Sequence, residues 1–179
     1  MKILIASDLH GSAYYAEKLI QRFRDEKADK LILLGDVYNH GPRNPLPEKY
    51  SPMVVAEILN AVTDKLIVIK GNCDSQVDTL ISEFSFIEDA VILSGNKTFF
   101  LTHGHVYNKD AMPKTKFDGV IYGHFHTGFI EEIGGVIVAN AGSLSLPKNG
   151  TESSYLILED GNLTLKNIDG KIIKTTNQT

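Results

Sequence analysis

Tryptophan is absent from this 179-residue sequence, cysteine occurs once and proline six times. A single thiol, Cys73, excludes an intramolecular disulfide and any thiolate zinc cluster. Long apolar runs are missing too. The opening segment turns polar at Ser7-Asp8 after four apolar residues, too short for a signal peptide or a membrane span. A cytoplasmic protein without a membrane partner is expected. Nor is there a surplus of positive charge, since 18 Lys and Arg face 22 Asp and Glu for a net charge of −4. Binding along a phosphate backbone normally needs a basic surface, so this balance argues against general nucleic-acid binding. It does not exclude a single phosphate held in a pocket by metal ions. Internal repeats, low-complexity stretches and a dividing linker are lacking, so residues 1–179 read as one domain. With 42% hydrophobic residues, a chain of this length buries enough surface to fold unaided. Oligomeric state is left open, a homo-oligomer being compatible.

What is present is a series of short apolar runs whose length and branched residues mark buried strands. They are Ile3–Ala6, Leu31–Leu34, Leu66–Ile69, Thr98–Leu101, Val120–Tyr122 and Val136–Ala139, with Tyr155–Glu159 and Leu163–Ile168 closing a sheet near the end. Ala13–Glu26 carries Leu19, Ile20 and Phe23 at helical spacing, and Val54–Val62 is similar, with Pro52 suited to a first helical turn. Early strands alternate with helices, which predicts parallel pairing through crossovers. Gly134-Gly135 and Asp160-Gly161 signal later hairpins. The fold class is α/β.

The residues after each run carry the chemistry. They are Asp8-Leu9-His10, Gly35-Asp36, Gly71-Asn72-Cys73-Asp74, His103-Gly104-His105, Gly123-His124-Phe125-His126 and Asn140-Ala141-Gly142-Ser143. In α/β sheets, ligands bind beyond the carboxyl ends of strands. Asp8 and His10 are two apart, as are His124 and His126, so on extended segments each pair shares a face. Carboxylates with imidazoles suit Mn, Fe or Zn, and the amide oxygen of Asn72 suits the harder end of that range. Asp36 has two oxygens and can bridge a pair of ions. Two ions roughly 3.5–4 Å apart can hold a hydroxide nucleophile and clamp an in-line phosphoryl displacement. Each motif alone is as compatible with a turn or a helix cap. Together, at successive strand ends, they describe a site.

The order Asp-x-His, Gly-Asp, Gly-Asn-x-Asp, His-Gly-His, Gly-His-x-His resembles the calcineurin-like metallophosphoesterases, from Ile3 to about Ser143. Gly35-Asp36-Val37-Tyr38-Asn39-His40-Gly41-Pro42-Arg43-Asn44 is similar to the family's small bacterial phosphodiesterases. Asn140-Ala141-Gly142-Ser143 resembles its Asn-Pro-Gly-Ser, with Ala141 in place of proline. The resemblance implies a four-layer αββα sandwich, two mixed β-sheets flanked by helices. It implies a first metal on Asp8, His10, Asp36 and His126, and a second on Asp36, Asn72, His103 and His124. Asp36, Asn72 and His103 are then the expected catalytic residues. Manganese is the first choice of ion, with Fe, Zn, Ni or Co as alternatives. The implied activity is hydrolysis of a small phosphodiester by in-line attack of a metal-bridging hydroxide.

Cys73 departs from relatives that cleave phosphomonoesters, which have histidine there. A neutral thiol offers a doubly charged terminal phosphate no positive partner, so diesters are expected to be preferred. In the long loop from Tyr38 to Tyr50, His40 and Arg43 are candidate substrate contacts. Asp74 is expected to orient Asn72 or cap a helix, and His105 to line the site or orient a neighbour. The alternatives are a phosphomonoesterase or nucleotidase using the same site, opposed by Cys73, and a scaffolding protein on the same fold. A scaffold usually loses metal ligands, whereas all seven positions are filled here.

Overall fold

The computed structural model describes residues 1–176. In chain order the elements are β1 (Lys2–Ala6), α1 (Ala13–Asp25), β2 (Lys30–Leu33), α2 (Pro52–Asn60), β3 (Leu66–Ile69), a 3-10 helix (Gln76–Leu80), β4 (Phe86–Ile87), β5 (Ala90–Ser94), β6 (Lys97–Leu101), β7 (Gly119–Tyr122), β8 (Phe129–Ile133), β9 (Val136–Asn140), β10 (Ser154–Glu159), β11 (Asn162–Asn167) and β12 (Ile172–Thr175). A seven-stranded sheet runs β12-β11-β10-β1-β2-β3-β4, and a five-stranded sheet runs β5-β6-β7-β9-β8. Each is mixed. β1 to β4 are parallel, as are β6, β7 and β9, while the remaining neighbours pair antiparallel.

Side-chain alternation along the strands decides which core each residue joins. Ile3, Ile5, Ile32, Leu156, Leu158, Leu163 and Leu165 of the larger sheet face Phe99, Leu101, Ile121, Ile130 and Ala139 of the smaller one. The opposite set, Leu4, Ala6, Leu31, Leu33, Val68, Tyr155 and Ile157, packs beneath the two helices. Helix α1 buries Ala13, Ala16, Leu19, Ile20 and Phe23 on one stripe; Ser12 caps its start by accepting the Tyr15 N–H, and Arg22 and Arg24 occupy its last turn. Helix α2 begins at Pro52, whose fixed φ suits the first turn. The two helices therefore share one outer face. The outer face of the smaller sheet buries Phe100, Val120, Tyr122 and Val138 under Tyr107 and Phe117, which lie on irregular chain between β6 and β7.

The two-sheet sandwich agrees with the fold expected from the sequence, and strand limits move by a residue or two. β4, β5, β8 and β12 are not among the predicted apolar runs. They are the four edges of the two sheets. Edge strands have one unpaired side and much exposure, so β8 and β12 lack a central strand's continuous apolar run, and β4 is only two residues long. β5 does carry the run Ala90-Val91-Ile92-Leu93, alternately exposed, which the reading of apolar runs omits.

Where the larger sheet meets α1, the Tyr155 hydroxyl and the Lys166 ammonium each donate to Glu26 Oε1 at 2.7 Å. Burial opposes ionisation of Glu26, but Lys166 and Tyr155 outweigh it and hold the carboxyl below its ordinary range. A depressed carboxyl stabilises the fold above its unfolded value, and the contribution is lost as pH falls through the folded value. Glu26→Gln is expected to lower stability by about 1–3 kcal/mol at neutral pH. In urea denaturation the difference from the parent should shrink in strong acid; a gap unchanged with pH would contradict the ion pair.

Candidate metal centre

The carboxyl ends of β1, β2, β3, β6 and β7 all open toward one end of the sandwich, and the predicted donors follow them. Asp8, His10, Asp36, His124 and His126 do not lie on extended chain, which corrects the geometry expected for Asp8/His10 and His124/His126. Their φ angles are 56°, 50°, 54°, 63° and 59°, in the left-handed region. Asp and His enter that region more readily than bulkier residues, yet each still costs energy and persists only where surroundings enforce it. Here Asp8 N–H donates to the Gly35 carbonyl at 3.1 Å, His10 N–H to that of Asp36 at 2.8 Å, and Gly123 N–H to that of His103 at 2.8 Å. Sharp reversals, rather than a shared strand face, turn the paired residues into the site. Two glycines are obligatory for contact: a Cβ on Gly71 would overlap Asp36 Oδ1, and one on Gly123 would overlap Ser7 Oγ and lie 2.6 Å from Asp8 Oδ2.

Donor atoms gather in two groups. In one, His126 Nε2 is 3.2 Å from Asp8 Oδ1, and His10 Nε2 is 3.6 Å from Asp8 Oδ1 and 3.8 Å from Asp36 Oδ2. The two ring nitrogens His10 Nε2 and His126 Nε2 face each other at 3.1 Å. In the other, His103 Nε2 lies 3.5 Å from Asp36 Oδ1, 3.1 Å from Asn72 Oδ1 and 3.2 Å from His124 Nδ1. Asp36 thus turns one oxygen to each group.

The far nitrogens fix the ring states. With Nδ1–H donated to a carbonyl, His10 bonds Asn39 at 2.7 Å, His103 bonds Leu34 at 2.6 Å, and His126 bonds Leu146 at 2.7 Å. Leu34 is available because β2 ends one residue earlier. Each Nε2 is then aimed at its carboxylate neighbours and, once its proton leaves, offers a lone pair to a cation. Asp8 Oδ1 is buried and has no hydrogen-bond donor. Burial works against a charged Asp8, but His10 and His126 prevail and hold it well below the usual carboxylate range. Burial likewise opposes a charged His103, while Asp36 and Asp8 raise it to about 9. Burial and then the charge of His103 push His124 and His105 down, favouring neutral rings. An undonated carboxylate among facing imidazole nitrogens fits divalent cations, which would displace the protons held there.

Asp74 caps no helix; Ser75 takes that place for the 3-10 helix. Instead Asp74 Oδ2 accepts from Asp36 N–H at 2.8 Å and Gly71 N–H at 2.7 Å, and Oδ1 from Val37 N–H at 2.8 Å. Asp36 Oδ1 accepts the Cys73 N–H at 2.8 Å. The Cys73 thiol lies close to His10 and Asp36. Burial, then the Asp36 charge, pushes it up to about 12, so it is neutral. A cavity of about 470 Å³ opens over the donors, lined by Asp36, Asn72, Cys73, His124 and His126 and by Gly41, Pro42, Arg43, Asn44 and Lys148. Arg43 reaches it. His40 does not: its ring packs edge-on to Tyr50, with centroids 5.4 Å apart. His105 lies beside His103, ring centroids 5.4 Å apart, outside the cavity lining.

Of the groups that position these loops, Asn140 and Ser143 belong to a segment the sequence singles out, whereas Ser145 carries no advance signal. Ser143 and Ser145 donate to the Asp8 carbonyl at 2.8 and 3.2 Å, and Asn140 donates to that of Gly123 at 2.6 Å. The segment Asn140-Ala141-Gly142-Ser143 therefore braces the loops bearing Asp8 and His124. Lys148 has no local signature as a lining residue either, because it lies beyond the last motif on a loop whose return to the site is a tertiary fact.

The family model of the calcineurin-like phosphoesterase superfamily domain matches residues 1–162. The chain is 41% identical over 167 residues to phosphodiesterase YfcE of Escherichia coli K12, covering 92% of this chain and 91% of that one. It is 32% identical over 151 residues to phosphodiesterase MJ0936 of Methanocaldococcus jannaschii, covering 79% and 83%. The solved structure of the phosphoesterase YfcE from E. coli superposes with a TM-score of 0.94 at 39% identity, covering 98% of each chain. Wild-type Vps29 from Entamoeba histolytica complexed with zinc gives 0.63 at 22% identity over 98% and 97%, a likeness of fold.

A divalent cation added to chelated protein at a hundredfold excess over its Kd should raise stability by about 2.7 kcal/mol, and the melting temperature with it. Gly123→Ala, which drives a methyl into Ser7 and Asp8, should abolish that increment. Undiminished stabilisation in this variant, read by calorimetry with metal analysis, would contradict the placement of Asp8.

Proposed function

The chain belongs to the calcineurin-like phosphoesterase superfamily, and we propose that it is a metal-dependent phosphodiesterase acting on a small phosphodiester. The observation that carries this reading is the donor arrangement, two groups with one Asp36 oxygen turned to each. On this reading Asp8, His10, Asp36 and His126 hold one ion, and Asp36, Asn72, His103 and His124 a second. Mixed oxygen and imidazole donors suit manganese first, then iron, zinc, nickel or cobalt. Bound divalent ions supply a water nucleophile near neutral pH and neutralise charge on phosphoryl oxygens. The compartment proposed for this activity is the cytoplasm.

The chain's own groups do the positioning. Carbonyls of Asn39, Leu34 and Leu146 take the outer protons of His10, His103 and His126 and leave their inner nitrogens free to ligate. Asp74 fixes the backbone of Asp36. No serine or threonine lines the cavity among the described residues, and its thiol is neutral. A direct in-line displacement by water, without a covalent enzyme intermediate, is therefore the proposed course. Cys73 borders the cavity without a positive charge, which suits a singly charged diester better than a doubly charged monoester. A scaffolding role would tolerate a missing donor, and none of the seven is missing.

The test is hydrolysis of bis-p-nitrophenyl phosphate by chelated and then manganese-restored protein, beside p-nitrophenyl phosphate. Turnover should require metal, favour the diester, and fall at least about 100-fold in Asp36→Asn, beyond the loss of an outer partner. Cys73→His should raise the monoester-to-diester ratio. No diester turnover with two ions bound would overturn the activity, and an unchanged ratio would sink the role of Cys73.

A further inference from the structure

We propose that Arg43 and Lys148 form a site for a second phosphate, so that the preferred diester carries a further phosphate group on one of its arms. The inference rests on the phosphodiesterase reading above. Arg43 and Lys148 are the two cationic chains lining the 470 Å³ cavity, whose one carboxylate, Asp36, is turned to the donor groups. Neither cation forms an ion pair with a carboxylate among the described residues, and what sets them apart from other unpaired cations is that they line this cavity. A simple diester bears one negative charge, which the metal centre already faces. Two further unpaired cations in the same cavity answer to a second anion.

Their mounting is specific. Asn39 takes the His10 Nδ1–H on its carbonyl, and its side-chain oxygen accepts the Gly41 N–H at 2.8 Å. Asn44 Nδ2 donates to the His40 carbonyl at 2.8 Å, closing the turn that holds Arg43. On the other loop, Leu146 takes the His126 Nδ1–H, and Lys148 N–H donates to the His126 carbonyl at 2.9 Å. Thr151 then bonds the Lys148 carbonyl through N–H at 3.0 Å and Oγ1 at 2.8 Å. The two cations are thus carried on loops anchored to the two imidazoles of one donor group, His10 and His126. A planar guanidinium fork with a compact ammonium suits the three free oxygens of a terminal phosphate.

Isothermal titration of the manganese-loaded protein with thymidine 3′,5′-bisphosphate and with thymidine 5′-monophosphate, at one fixed ionic strength, tests this. The bisphosphate should bind about 10–100-fold tighter, the range for hydrogen bonds to charged groups. In the double variant Arg43→Gln/Lys148→Gln, and in Lys148→Glu, that advantage should largely vanish. Equal affinities in the parent, or an advantage that survives in both variants, would overturn the site. A kinetic arm separates the two readings, using thymidine 5′-(p-nitrophenyl phosphate) with and without a 3′-phosphate. Turnover of the plain ester with no gain from the added phosphate defeats the second-phosphate site alone. Failure to turn over either ester, with bound metal verified, defeats the phosphodiesterase reading.

Discussion

The Asp74 carboxylate accepts the backbone N–H groups of Asp36, Val37 and Gly71, all within 2.8 Å, and in doing so fixes the turn on which Asp36 stands. Asp74 is buried, and burial together with the Asp36 charge raises it to about 6 against those three donors. At neutral pH it is the anion the three N–H groups require. Asp36 can then turn one oxygen to His10 and the other to His103, which no freely rotating carboxylate would keep doing. The remaining donors are arranged around this residue.

Convergence of so many polar groups is expensive without partners, and the fold meets that cost with backbone. Five donors adopt left-handed φ, each held by a hydrogen bond from its own N–H or its neighbour's, and glycines at 71 and 123 leave room for carboxylate oxygens. The apolar core between the sheets supplies the rigidity. Ile3, Ile5 and Ile32 anchor β1 and β2, and Phe99, Leu101 and Ile121 anchor β6 and β7, immediately before the loops that carry the donors. Strain at the strand ends is thereby set against packing a few residues away.

Much of this is legible in the sequence, for identifiable reasons. Central strands such as Leu66–Ile69 are buried on both faces and read as apolar runs, and the donors announce themselves by recurring after such runs. The edge strands are quieter. Phe129–Ile133 includes Glu131 and Glu132, and Ile172–Thr175 is largely exposed, so neither shows a buried strand's pattern. The local geometry of Asp8-Leu9-His10 is not the extended one its spacing suggests, because a two-residue spacing does not reveal φ. His40, one residue from Asn39, packs on Tyr50 rather than lining the cavity, while Lys148 reaches it from far along the chain. Tertiary closure decides such positions, and the carbonyls of Leu34, Asn39 and Leu146 that orient the histidines have no side-chain signature at all.

Asp36 as the shared ligand of two ions is the claim on which the functional account turns. Anomalous diffraction from crystals of the full chain grown with manganese tests it most directly. Two peaks are predicted, one bonded to Asp8, His10 and His126 and the other to Asn72, His103 and His124, with Asp36 ligating each. A single peak, or a second one held by the Cys73 thiol away from Asn72 and His103, would contradict the account.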